Sequence, residues 1–149
     1  MSHTSRPDAR PGAADFDPWG GCLDAGVAAR NLVGKSVEEA ALLLSENALR
    51  YTEDYLWMGP VAFCFYAPAT LLHLRSPACD DDPDFALSMI SIFRSRVQND
   101  GPAVLAAVPV MREFCAVARD EFDRLGFPAK QRARLPRRVA ELESAIASV

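Results

Sequence analysis

The sequence lacks the residues and patterns that usually indicate catalysis or metal binding. Among its 149 residues are two histidines, and only His73 lies outside the polar N-terminal stretch. A lone histidine without a second histidine, a cysteine pair or patterned carboxylates is a poor metal site, so we favour a partly buried, hydrogen-bonded His73. The patterns G-x-S-x-G, H-E-x-x-H, G-x-G-x-x-G and the P-loop are also absent. We therefore predict no catalytic residue, no metal site and no cofactor.

Paired cysteines are missing as well. The four cysteines are Cys22, Cys64, Cys79 and Cys115, and none belongs to a C-x-x-C pattern. Cys64 and Cys115 have apolar helical surroundings, in which a free cysteine behaves as a small buried hydrophobe. The N-terminus also has no apolar segment of the kind that a secretory signal needs. We expect a cytoplasmic protein whose thiols are reduced.

The chain carries little excess charge. Its 16 lysines and arginines against 20 aspartates and glutamates give a formal net charge of −4. This slightly acidic balance weighs against general binding to nucleic acids or anionic membranes and favours a basic partner.

A chain of this length buries about two-thirds of its unfolded surface, so it can fold as one domain without a metal or a disulfide.

The most apolar stretch covers residues 51–75, YTEDYLWMGPVAFCFYAPATLLHLR, and no charged side chain lies between residues 55 and 74. It is too interrupted to span a membrane, because Gly59-Pro60 and Pro68 divide it and a span needs about 20 continuous apolar residues. Gly59-Pro60 favours a helix start, whereas Pro68 favours a kink or a restart. We expect this stretch to be buried among the other helices, with any activity at the periphery.

Capping and turn signals divide the rest of the chain into helices. Residues 36–39 match the S-x-x-E capping box and predict a helix that continues to about residue 50. An Asp-Pro start predicts a helix over 83–97 with Arg94 and Arg96 on its exposed side, and Gly-Pro predicts another over 102–125. Residues 23–33 predict only a turn or a helical stub.

No alternating β pattern is present. A last helix starts near Pro136, and its seam consists of Leu135, Val139, Leu142 and Ile146. The sequence therefore predicts an all-α fold, a compact single-domain bundle of five to seven proline-punctuated helices.

The N-terminal residues differ in composition from the rest. Residues 1–18 are rich in proline, glycine, alanine and aspartate, which predicts a disordered or loosely docked leader before a single helical domain at 19–149. Phe16 and Trp19 are the exceptions, because an aromatic pair at the end of such a leader often pins it to the domain. We expect Trp19 to be docked.

Two acidic groups are the candidate partner-binding residues, namely Asp80, Asp81, Asp82 and Asp84, and the pair Glu53 and Asp54. The first group lacks the spacing of an EF-hand loop, and helix capping alone explains it. The second adjoins the aromatic stretch, but adjacent acids point in different directions and no histidine or lysine completes an acid–base site. Beyond these structural roles, both groups suit a basic protein partner.

The sequence also contains one basic run, which consists of Lys130, Arg132, Arg134, Arg137 and Arg138. Part of it shares a helix face that could touch phosphates, but no aromatic residue is interleaved for base stacking. We interpret it as a solvated face or as one that pairs with acids elsewhere in the chain.

The block W-M-G-P-x-A-F-x-x-Y-x-P-A at residues 57–69 resembles a segment of small bacterial all-helical proteins, some of them similar to the immunity proteins of polymorphic toxin systems. The block is apolar and transfers no site residues. The resemblance implies a compact, non-enzymatic, cytoplasmic binder that blocks a toxin.

Three functional hypotheses follow. The first is an all-α interaction protein, not an enzyme, whose acidic surface receives a basic protein such as a toxin. The second is a small-ligand binder or an enzyme with a pocket between the central helices, lined by Tyr51, Tyr55, Tyr66, Glu53 and His73. The third is a nucleic-acid adaptor that uses the basic run at residues 130–138. The oligomeric state is left open.

Overall fold

The computed structural model describes residues 9–149, and within them every regular element is helical. In this part of the chain the α-helices are α1 (Ala13–Phe16), α2 (Leu23–Leu32), α3 (Val37–Glu46), α4 (Ala48–Thr52), α5 (Asp54–Trp57), α6 (Pro60–Arg75), α7 (Pro83–Asp100), α8 (Val108–Asp120) and α9 (Arg134–Ala147). Short 3₁₀ turns cover Pro77–Cys79, Gly101–Ala107 and Ala129–Gln131. Six of these α-helices have ten residues or more, and the prediction of a single all-α domain is confirmed.

The helices begin where local signals predict. Ser36 Oγ accepts from the backbone N–H of Glu39 at 3.0 Å, and Glu39 Oε1 accepts from the N–H of Ser36 at 2.7 Å, which completes the capping box of α3. Pro60 and Pro83 are the first residues of α6 and α7. Proline suits this position because the first N–H groups of a helix have no intrahelical acceptor.

Two predicted helices are divided in the structure. The helix predicted for residues 36–50 becomes α3 and α4, because Asn47, whose backbone is not helical, ends the first and caps the second by accepting from the N–H of Arg50 at 3.1 Å. The helix predicted for 102–125 begins as a 3₁₀ turn, and its α-helical part, α8, is shorter. Pro109 lies in the first turn of α8, where its missing N–H is tolerated.

At two other places the structure is more helical than the sequence predicts. Residues 23–33, predicted as a turn or stub, contain the ten-residue helix α2, which buries Ala28 and Leu32 in the core. That packing outweighs the low helix propensity of Gly26. Of the kink or restart predicted at Pro68, the restart does not occur, because α6 continues through this residue.

Helix α6 forms the centre of the bundle. It packs against α1, α3, α8 and the 3₁₀ turn Gly101–Ala107, while α7 packs along α9. Its buried residues are Ala62, Phe63, Tyr66, Ala67, Ala69, Thr70, Leu71, His73 and Leu74. The predicted burial of the central stretch therefore holds for most of α6, whereas Val61 and Leu72 within it are 60% and 41% exposed and Trp57 just before it is 40% exposed.

A chain of aromatic contacts joins α6, α7 and α8. Phe93 of α7 meets Phe63 of α6 edge to face at 6.2 Å and Phe114 of α8 at 5.2 Å between ring centroids. Phe114 in turn lies 6.0 Å from Phe85, whose ring meets that of His73 at 4.6 Å. Edge-to-face pairs of this kind stabilise a core beyond the area they bury.

The N-terminal segment is anchored by Phe16. Residues 1–8 of the predicted leader, including His3, lie outside the described residues. Phe16 is fully buried against Tyr66, and its carbonyl accepts from the N–H of Gly59 at 2.7 Å. The expectation that Trp19 is docked is wrong, because this residue is 61% exposed. It lies on a surface turn that the carboxylate of Asp17 holds through the following backbone N–H groups.

One stretch, Pro83–Asp120, is long and apolar enough by composition to cross a membrane, but buried helices of soluble proteins pass the same test. Here the stretch consists of α7 and α8 with a 3₁₀ turn between them. Its large side chains, such as Phe93, Met111 and Phe114, are fully buried inside the bundle. Composition therefore gives only weak support for a membrane span.

Candidate functional site

A groove between α4 and α7 brings together acidic residues that are distant in sequence. Its volume is about 430 Å³. The residues that define it are Leu49, Glu53, Asp82, Asp84, Phe85 and Ile92. We call it the acidic groove. Three of the six predicted partner-binding residues thus line one surface depression.

The ends of two helices place these carboxylates. Asp82 caps α7 by accepting from the N–H of Phe85 at 3.2 Å, and Asp84 follows in the first turn. The partial positive charge of a helix N-terminus favours acids at both positions. Glu53 lies on the surface where α4 meets α5. Local capping chemistry thus fixes two of the carboxylates, and the packing of α4 on α7 brings the third to the same groove.

Apolar groups form the rest of the groove. Phe85 is buried in the core, and Ile92 is half-buried about two helical turns further along the same face of α7. Leu49 is 90% exposed, although removing a leucine side chain from water lowers the free energy. Leu49 could not be recognised from the sequence, because a lone leucine in a polar segment gives no periodic signal.

Within the described residues, Glu53, Asp82 and Asp84 form no ion pair with a lysine or arginine. Their negative charges therefore add at the mouth of the groove. No group of three acidic, histidine or cysteine side chains in residues 9–149 is arranged to hold a metal ion.

The other three predicted acids lie elsewhere. Asp80 pairs with Arg124 at 2.8 Å, and the same guanidinium donates to the carbonyl of Leu74 at the end of α6. Asp81 has a φ of 59° and packs closely against Gly126. Asp54 is buried and accepts from Asn31 Nδ2 at 3.0 Å, and this burial raises the pKa of its carboxyl. Asp54 is therefore not part of an acidic surface.

The residues suggested for a pocket between the central helices do not converge. Tyr66 donates its hydroxyl hydrogen toward the carbonyls of Leu32 and Lys35, at 2.8 and 2.7 Å. Tyr55 is fully enclosed, and burial raises the pKa of its hydroxyl. Of the five suggested residues, which also include Tyr51 and His73, only Glu53 lines the acidic groove.

His73 is enclosed beside the acidic groove without lining it. Its Nδ1 lies 3.0 Å from Ser45 Oγ, and within the described residues its Nε2 has no hydrogen-bond partner. Burial lowers the pKa of His73 below the usual 6.5, and the carboxylate of Asp82 opposes this shift only in part. The folded protein therefore favours the neutral imidazole.

We expect His73 to make the fold less stable in mild acid. The unfolded chain binds a proton at His73 more tightly than the folded protein does, so the free energy of unfolding falls as the pH decreases through 6.5 towards the lowered pKa. His73→Gln removes this titration and keeps a hydrogen-bonding group for Ser45. Urea unfolding at about pH 7.5 and about pH 5.5 should show a smaller pH-dependent loss in the variant. An equal loss in both proteins would contradict this role.

The buried thiols are poorly suited to nucleophilic chemistry. Within the described residues all four cysteines are free. Burial raises the pKa of Cys79 to about 12 and that of Cys115 to about 11. Since the thiolate is the reactive form, both groups are inert at neutral pH.

The basic run is divided between structural and solvated roles. Arg138 donates to the carbonyl of Leu87 at 3.0 Å and so ties α9 to α7, and Arg132 pairs with Asp123 at 3.3 Å. Lys130, Arg134 and Arg137 are exposed.

The chain was compared with family models, with curated proteins and with solved structures, and it matches none of them.

Proposed function

We propose that this chain is a small, non-enzymatic, cytoplasmic interaction protein that receives a basic protein partner in the acidic groove. The observation that carries the proposal is the convergence of Glu53, Asp82 and Asp84 on one apolar depression. Their unpaired negative charges attract a cationic partner over a distance of about 10 Å at physiological salt.

The shape of the groove favours an arginine or lysine that lies along an apolar floor. Such side chains bury their hydrocarbon stems against apolar surface while the charged end stays near carboxylates. Phe85 and Ile92 supply that surface, and exposed Leu49 can pack against an apolar residue of the same partner. Charge then sets the rate and specificity of association, whereas the apolar contacts supply affinity.

A toxin neutralised by binding is the partner class that the resemblance of residues 57–69 to immunity-like proteins implies. Those residues lie mostly in α6, in the core, so they would support the fold of such a protein and not its contact surface. The product of the neighbouring reading frame is the first partner to test.

The experiment uses two variants with equal charge changes. The groove variant carries Glu53→Gln, Asp82→Asn and Asp84→Asn, and asparagine keeps the capping ability of residue 82. The control variant carries Glu38→Gln, Asp24→Asn and Asp120→Asn at exposed positions away from the groove. Both should have the same circular dichroism spectrum as the wild type.

Each protein serves as bait for the purified product of the neighbouring reading frame and for native lysate, with mass spectrometry of the bound chains. We expect one basic protein to bind the wild type and the control variant, and its affinity for the groove variant to fall about 10- to 100-fold. A partner that binds all three proteins equally, or that loses affinity equally for both variants, would contradict the proposal.

A further inference from the structure

A second depression, of about 580 Å³, lies on the surface between the turn after α1, α5 and the C-terminal half of α7. It contains both tryptophans of the chain, and both leave aromatic surface exposed to water. None of its lining residues belongs to the acidic groove. We use the name tryptophan patch for the lining residues Trp19, Cys22, Leu56, Trp57, Ser95 and Asn99.

Arg96 and Asp100 complete the lining of the depression. Arg96 was expected on the exposed side of α7, and this expectation is wrong, because its side chain is only 4% exposed. Its Nη1 donates to the carbonyl of Leu56 at 3.0 Å, and its Nε lies 2.8 Å from Oδ2 of Asp100. The two charges therefore cancel within the fold. Among the residues that the structure describes, the lining as a whole has no net charge.

The exposed surface of the tryptophan patch is mainly aromatic. A tryptophan side chain buries about 150–250 Å² in a core or an interface. Trp19 and Trp57 are 61% and 40% exposed, so together they leave the equivalent of one tryptophan, roughly 150–250 Å², in water. Covering this surface with another apolar surface lowers the free energy in proportion to the area. Aromatic residues without nearby free charge are typical of the core of a protein interface.

The charge of the chain indicates which molecule covers the tryptophan patch. The net charge of −4 attracts basic partners, but an uncharged patch gives a basic partner no attraction of its own. Two copies of this chain repel each other where acidic surfaces meet, whereas a contact between two uncharged patches brings no like charges together. A second copy also supplies an apolar patch of the same size and composition. A symmetric contact therefore covers both patches at once.

We propose that the tryptophan patch is the contact surface of a symmetric homodimer of this chain. Trp19 and Trp57 of each copy pack against the same patch of the other copy across a twofold axis. The tryptophans of two copies supply roughly 300–500 Å², which is less than half of a standard interface of about 1,200–2,000 Å². The dimer is accordingly weak and reversible. The proposal is independent of the acidic groove.

A charge placed in the tryptophan patch tests self-association, because the twofold axis doubles it. Asn99 is exposed on α7, so Asn99→Glu and Asn99→Lys change the charge of the patch without opening the core. Sedimentation equilibrium measures the Kd of the dimer, which we expect to lie between about 5 and about 500 μM for the wild type. Each variant alone should dimerise about tenfold more weakly, because like charges then meet. An equal mixture of the two variants should regain the affinity of the wild type, because opposite charges meet.

Trp19→Ser tests the aromatic contact, because this side chain lies on an exposed turn outside the core. We expect the dimer to weaken about tenfold in this variant. Leu42→Ser is the matched control, since Leu42 is similarly exposed at 65% and lies outside the patch. It should leave the Kd unchanged. The tryptophan emission of the wild type should shift to shorter wavelength over the same concentration range, because both tryptophans leave water.

Three results would overturn the assignment. The first is a wild-type protein that stays monomeric up to about 1 mM. The second is a dimer whose Kd is unchanged in Trp19→Ser and in both Asn99 variants, or whose Asn99 variants respond in opposite directions. The third is a chain that stays monomeric alone and whose tryptophan emission shifts only when a different protein is added, because the patch then has another occupant.

Discussion

Phe93→Ala is expected to lower the free energy of unfolding by about 3–5 kcal/mol. Phe93 is fully buried and its ring contacts both Phe63 and Phe114, so its removal leaves a cavity where α6, α7 and α8 meet. Domains of this size are stable by about 5–15 kcal/mol, so the loss is a large share of the total. Urea unfolding followed by circular dichroism measures it.

Phe122→Ala is the matched control, because it removes the same atoms from a half-buried position where the ring stacks on Phe127 at 4.6 Å. We expect this variant to lose about 1–2 kcal/mol, because less area leaves the core. Equal losses in the two variants would show that α6 and its aromatic neighbours are not the centre of the fold.

Gly59→Ala is expected to detach the N-terminal segment from the bundle. A Cβ atom at residue 59 would overlap the carbonyl oxygen of Asp15 and lie 2.7 Å from Cδ of Pro18. Since backbone and a proline ring cannot move aside separately, the segment must shift and draw Phe16 out of the core. Exposure of one large aromatic side chain costs about 1.5–3 kcal/mol, and the hydrogen bond to Phe16 is lost in addition.

Urea unfolding measures the loss of stability in Gly59→Ala, and limited proteolysis reports whether the N-terminal segment is cut faster. Gly12→Ala is the control, because no atom lies within 4 Å of the added Cβ. It should behave as the wild type does. A Gly59→Ala protein with unchanged stability and unchanged cleavage would contradict the anchoring role of Phe16.

Helix starts could be predicted from the sequence because they depend on contacts within four residues. The Ser36–Glu39 box and the proline starts at residues 60 and 83 are cases of this kind. That Phe16 and not Trp19 is the anchor could not be predicted from the sequence, because it depends on which side chain packs beside Tyr66. Both aromatics looked alike in the sequence.

The candidate sites depend on contacts between distant segments, and this limits what a pattern can show. Asp82 and Asp84 were recognisable as helix-start acids, but their meeting with Glu53 requires the break at Asn47 and the packing of α4 on α7. The burial of Arg96 was missed because charged residues late in a helix are usually exposed.

The most direct test of the acidic groove is the association rate constant of the identified partner, measured by stopped flow for the wild type, the groove variant and the control variant. Screening weakens interactions between exposed charges, so salt is varied between about 0.05 M and about 0.5 M. We expect the groove variant to associate about tenfold more slowly than the control variant at low salt and to lose most of the salt dependence. Equal rate constants and equal salt dependence in the two variants would show that the partner does not bind at Glu53, Asp82 and Asp84.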